Sequence, residues 1–136
     1  MKVVLDTNVL VAAFIARGVC AEVFERVTGD NELILSAHIL DEFERVMVAK
    51  LGFDVTRVDR AVALLRRVGR IVESQPLPAP VCRDPDDVAV LALVLSSGAA
   101  CLVTGDDDPL VLEAIEGTPL ITPRAFLTYE PPRNAG

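Results

Sequence analysis

Histidine occurs once, at position 38, and the three cysteines, Cys20, Cys82 and Cys101, are widely spaced with no C-x-x-C pair. That argues against a zinc site and against a disulfide framework, and buried free thiols are the default for such scattered cysteines. No apolar run reaches the twenty residues that a membrane-crossing helix needs. Met1-Lys2 leads straight into a strand-like run without a signal-peptide pattern, so the expected location is the cytoplasm, with no membrane contact. No G-x-G-x-x-G follows any strand, which excludes the usual dinucleotide site. Lysine occurs only at positions 2 and 50. A flavodoxin-like phosphoacceptor domain also gathers acids at strand ends, but it wants a lysine at the end of a late strand, and none is there.

What the chain does have is apolar residues and acids. It is 51% hydrophobic and 24% charged over 136 residues, the profile of one globular domain with a single core. That domain is expected over residues 1–130, with a frayed tail at 131–136. The formal net charge is −7, which on its face opposes nucleic-acid binding. The acids are bunched, however, at Asp84, Asp86 and Asp87 and again at Asp106, Asp107 and Asp108, where divalent cations would reverse the local charge. Arg57, Arg60, Arg66, Arg67 and Arg70 form a separate basic stretch, which reads first as a solvated helix face.

Strand and helix patterns alternate along the whole length. Strands are expected at residues 2–5, 33–35, 71–72, 101–103 and 120–121. Helices are expected at 8–15, 21–27, 36–50, 54–68, 84–97, 109–116 and 123–127, with Pro76, Pro78 and Pro80 forcing an extended connector. Such alternation implies an α/β fold: a mostly parallel sheet of four to five strands, covered by helices on both faces.

Acids reach the strand ends in three places besides the helix at 36–50. Asp6 follows the run Lys2-Val3-Val4-Leu5, at the edge where ligands bind in open α/β sheets. Helix capping explains Asp6, Thr7 or Asn8 equally well when each is taken alone. Asp84-Pro85-Asp86-Asp87 is a complete helix start, yet a cap uses one or two carboxylates and here there are three. Asp87 shares a helical line with Leu91 and Val94, which aims it inward. Asp106 follows strand and Gly105 directly, whereas Asp108 before Pro109 reads as a cap. On the helix at 36–50, Ile39, Leu40, Phe43, Val46 and Met47 form the apolar stripe. Asp41 and Arg45 point away from it. Glu42 and Glu44 lie on its two borders, and the helical wheel does not choose between them.

Carboxylates about 4 Å apart repel by roughly 4 kcal/mol per pair at an effective dielectric near 20. Three or four converging acids therefore need a shared proton or a cation. With oxygen ligands only, the cation is Mg²⁺ or Mn²⁺, and carboxylate-held ions of this kind serve phosphodiester hydrolysis without a catalytic histidine or serine.

Taken together, V-V-L-D-T-N-V-L at Val3 to Leu10, I-L-D-E-F-E-R-V at Ile39 to Val46, R-D-P-D-D at Arg83 to Asp87, L-V-T-G-D-D-D at Leu102 to Asp108 and the closing T-P-R-A-F-L at Thr122 to Leu127 resemble the PIN-domain ribonucleases. The nearest branch is the VapC-like toxins of bacterial toxin–antitoxin pairs. The resemblance implies a three-layer α/β/α PIN-like fold and an endoribonuclease with an acidic pocket for Mg²⁺ or Mn²⁺. It selects Asp6, Glu42, Asp87 and Asp106 as catalytic and metal-binding, with Asp108 as a further ligand. Asp84 and Asp86 remain alternatives to Asp87. It assigns Thr7, Asn8 and Thr104 to orienting the carboxylates or water. RNA is the implied substrate, a small antitoxin the implied partner, and a homodimer the common assembly. The alternative is a PIN-like protein-binding module without catalytic activity.

Overall fold

The computed structural model describes residues 1–75, 85–105 and 118–129; for residues 85–87 it describes the helical backbone alone. Five strands form one sheet: β1 (Lys2–Leu5), β2 (Glu32–Leu35), β3 (Gly69–Ile71), β4 (Cys101–Val103) and β5 (Leu120–Ile121). Their order is β3-β2-β1-β4-β5, and every pairing is parallel. The helices are α1 (Thr7–Ile15), α2 (Val19–Asp30), α3 (Ala37–Arg45), α4 (Val55–Val68), α5 (Pro85–Ser97) and α6 (Pro123–Phe126).

Successive side chains of a strand point to opposite faces of the sheet. Val3, Val4 and Leu5 of β1 are all fully buried, as are Leu33, Ile34 and Leu35 of β2. Both faces of the sheet are therefore covered, which gives the three-layer α/β/α arrangement and explains why these strands read as unbroken apolar runs. The register aligns Val4 with Ile34, Leu5 with Val103, and Val103 with Ile121, so these strands end level on one edge.

Phe14 ties three helices together. Its ring meets Phe24 of α2 at 5.3 Å and Phe43 of α3 at 5.4 Å, both edge to face. Each such pair contributes about 0.5–1.5 kcal/mol beyond area burial. Val9, Leu10 and Val11 on α1 belong to the core, while Ile15 is exposed. α1 and α2 meet at a bend of 107°, and no single described helix is long and apolar enough to cross a membrane.

The main departures from the sequence expectation are at β3, at α2, which runs from Val19 rather than 21, and at the end of α3. β3 begins at Gly69, two residues early, because Gly69 leaves α4 in an extended conformation (φ −106°, ψ 171°) and pairs at once with Leu33. A Cβ at Gly69 would lie 2.6 Å from Leu35 Cδ1 and 3.0 Å from the Leu65 carbonyl, so glycine is required there by space. α2 runs through Gly29 to Asp30 in spite of the stop signal. The helix expected to reach position 50 changes pitch instead: α3 ends at Arg45 and a π-helical turn covers Val46–Lys50, closed by Leu51 N–H donating to the Val46 carbonyl at 2.9 Å. The α5 stop does fall at Gly98 (φ +68°), where Ala99 N–H returns to the Val94 carbonyl at 3.3 Å. The proline connector, the helix expected at 109–116 and the tail at 131–136 fall outside the described residues.

Candidate active site

One polar residue follows each of four strands at the level carboxyl edge: Ser36 after β2, Asp6 after β1, Thr104 after β4 and Thr122 after β5. Asp6 stands in the middle of this row, and its backbone is fixed from both sides. Its N–H donates to the Val103 carbonyl at 3.0 Å, and its carbonyl accepts from Val9 N–H (3.0 Å) and Leu10 N–H (3.1 Å). Asp6 is thus the N-cap residue of α1, but its carboxylate makes no capping hydrogen bond. Instead Oδ2 accepts from Thr104 Oγ1 at 2.9 Å, across the β1–β4 boundary. Thr104 is buried, with its N–H donated to the Ile121 carbonyl at 3.0 Å. Capping therefore fails as the explanation of the Asp6 side chain.

The structure also separates the two border acids of α3. The Glu42 side chain is only 12% exposed, while Glu44 is exposed. Phe43, fully buried between them against Phe14, sets this rotation. α1 and α3, which carry Asp6 and Glu42, pack against each other. Arg45 Nη2 lies 3.6 Å from Glu42 Oε2, and its side chain is 64% exposed. The sequence wheel set Arg45 aside as outward-pointing; the i,i+3 spacing from Glu42 was the signal for this pair. Such an exposed partner adds little stability.

Thr7 is 1% exposed, and its Oγ1 has no hydrogen-bond partner among the described residues. Asn8 is exposed on the first turn of α1. Asp86 and Asp87 fall in the first turn of α5, but their side chains lie outside the described residues, as do Asp84, Asp106 and Asp108 entirely. Among the described residues no three His, Cys, Asp or Glu side chains gather into a metal-holding group. Of the four acids selected above, the described part supplies Asp6 and Glu42.

The donor chemistry of this edge suits a hard cation. Every polar group placed here, the Asp6 carboxylate and the Thr104 and Thr7 hydroxyls, offers oxygen. The described thiols are poor competitors: burial pushes Cys101 up to about 11 and raises Cys20 as well, so both stay protonated near neutrality.

Comparison with known proteins bears on the fold. No curated protein matches the chain. Among solved structures, VapBC2 from Rickettsia felis bound to a DNA fragment from their promoter is similar at a TM-score of 0.66 and 16% identity, covering 90% of this chain and 98% of that one. VapBC-1 from nontypeable Haemophilus influenzae is similar at a TM-score of 0.62 and 17% identity, covering 91% and 99%. At these identities the likeness is one of fold. The sequence pattern of the PIN domain matches residues 2–108, most of the chain, and the protein belongs to the PIN domain family.

Proposed function

We propose that this chain is a Mg²⁺- or Mn²⁺-dependent endoribonuclease and the toxin component of a toxin–antitoxin pair. The observation that carries the reading is Asp6: a carboxylate at the centre of the sheet's carboxyl edge, released from capping its own helix and held by Thr104. In this reading Asp6, Glu42, Asp87 and Asp106 hold the ion, with Asp108 as a further ligand. A bound ion supplies Lewis acidity toward a phosphodiester. Thr104 fixes which Asp6 oxygen is committed to the protein, and Thr7 and Asn8 orient neighbouring carboxylates or water. The half-buried setting of Asp6 and the nearly buried Glu42 keep bulk water from screening the site's charge.

The substrate is RNA, and a cognate antitoxin is the partner. Both solved relatives are VapBC assemblies, which supports that partner. A homodimer and a cytoplasmic location complete the proposal. RNA cleavage assayed with Mg²⁺, with Mn²⁺ and in excess chelator tests it. Cleavage is expected with either metal and is expected to stop with chelator. Cleavage that continues in chelator overturns the metal-dependent reading.

A further inference from the structure

We propose that α4 is an RNA-holding exosite, an inference that rests on the ribonuclease reading for its substrate. Its fourteen residues carry Arg57, Arg60, Arg66 and Arg67, all exposed. No other described element carries more than one basic residue. Arg26, Arg45 and Arg70 are each paired with a glutamate, but none of the four α4 arginines enters an ion pair among the described residues. At 100° per residue, Arg57, Arg60 and Arg67 fall within an arc of about 80° and span about 15 Å along the helix. The one other position within that arc, Leu64, is uncharged, and so are Thr56 and Ala63 just past Arg67. Asp59 lies on the other flank, beside Arg66. The arc turns away from Val58 and Leu65, which bury the helix.

At the head of this stripe is a shallow, open depression of about 80 Å³, lined by Phe14, Met47, Phe53, Arg57, Val58 and Ala61. The Arg57 guanidinium stands 5.8 Å above the Phe53 ring. An aromatic face with an arginine over it, at the start of an acid-free arginine row, is the combination that takes a base and then tracks phosphates of a single strand. Electrostatics requires such a place. A chain of net charge −7 repels a polyanion over most of its surface, so attraction must be local. Phe14 lies seven residues beyond Thr7, about 10 Å along α1. The exosite is therefore separate from the acidic edge yet within reach of a few nucleotides. An acidic protein segment would also meet the arginines, but the outward, unbroken row of single charges favours a flexible phosphate chain.

The test measures binding without turnover. A labelled oligouridylate long enough to span both regions is titrated, by fluorescence anisotropy, into Asp6→Asn protein in chelator at several salt concentrations. Adding Arg60→Ala and Arg67→Ala is expected to weaken binding severalfold and to lower the slope of log affinity against log salt by about 1.4, at about 0.7 per lost phosphate contact. The melting temperature should not move, since both side chains are exposed. In otherwise unaltered enzyme the same double change is expected to raise KM for long RNA while leaving kcat alone. Unchanged affinity and slope overturn the proposal. So does unchanged RNA binding together with arginine-dependent capture of a glutamate-rich helical peptide, which would make α4 a protein-docking face. Arginine-dependent RNA binding in a protein that cleaves nothing would sink the nuclease reading alone and leave this one standing.

Discussion

Helices α1 and α3 both start one residue past the carboxyl ends of neighbouring parallel strands, and both start on a residue type that caps well. At α3, Ser36 Oγ accepts from Ile39 N–H at 3.2 Å. At α6 the same bond recurs, with Thr122 Oγ1 accepting from Ala125 N–H at 3.1 Å. Asp6 is the exception. The positive end of a helix favours a carboxylate more than a hydroxyl, yet its side chain is turned to Thr104, 98 positions away in sequence. Forgoing the cap costs α1 about 1 kcal/mol. Asp54 also leaves α4 uncapped, but it is exposed, so water serves the same N–H groups and nothing follows from it. A local rule broken at a half-buried site, with a long-range partner in place of the local one, supports the chemical role proposed for Asp6.

Changing the odd member of the pair should have the largest effect. Asp6→Asn keeps an acceptor for Thr104 and removes only the charge. Cleavage of RNA is expected to fall by more than about a hundredfold, with the melting temperature unchanged. If Asp6→Asn cleaves normally, the contrast between the two helix starts has no functional meaning. Next comes Thr104→Val, which removes the hydroxyl that replaces the cap. Rates are expected to drop by about 10- to 100-fold. An Asp6 carboxylate released from Thr104 could instead swing onto its own helix. In that case Thr104→Val would lose activity while gaining helix stability, which a rate assay and a thermal melt on the same sample would separate.

The same contrast explains what the sequence could and could not disclose. The mostly parallel sheet and the three-layer class follow from apolar runs such as Val3-Val4-Leu5, because burial on both faces leaves no alternation to misread. The carboxyl-edge position of Asp6 follows too. Whether Asp6 caps or binds does not, since D-T-N is an equally good start for either use and Thr104 decides it from another strand. Glu42 and Glu44 were equivalent on a wheel; only the contact of Phe43 with Phe14 fixes which one turns inward. The π turn at Val46–Lys50 left no mark, because Val46-Met47-Val48 satisfies an apolar face at either pitch. β3 was misplaced because Gly69 and Arg70 have little strand propensity, and pairing with Leu33 and Ile34 overrides it.

Smaller effects sharpen the comparison from the ordinary side. Ser36→Ala should remove a true cap and nothing else: about 1 kcal/mol of stability, or roughly 3–5 °C in melting temperature, with cleavage per folded molecule unaltered. A Ser36→Ala protein that melts normally but cleaves poorly would place Ser36 with Asp6 rather than opposite it.

The finest test uses the next residue of each helix. In α3 that residue is Ala37, exposed and with no polar atom to satisfy. In α1 it is Thr7, buried, with a hydroxyl that has no partner among the described residues. Burying an unpaired hydroxyl is unfavourable, so Thr7→Val is expected to leave stability unchanged or raise it by up to about 1 kcal/mol. If Thr7 is kept for the acidic edge, cleavage should fall a few fold in the same variant, the exchange of activity for stability that strained sites show on relief. A melt and a rate measured together decide it. A Thr7→Val protein that loses stability would mean that the hydroxyl is satisfied within the fold, and the special character of this helix start would then rest on Asp6 alone.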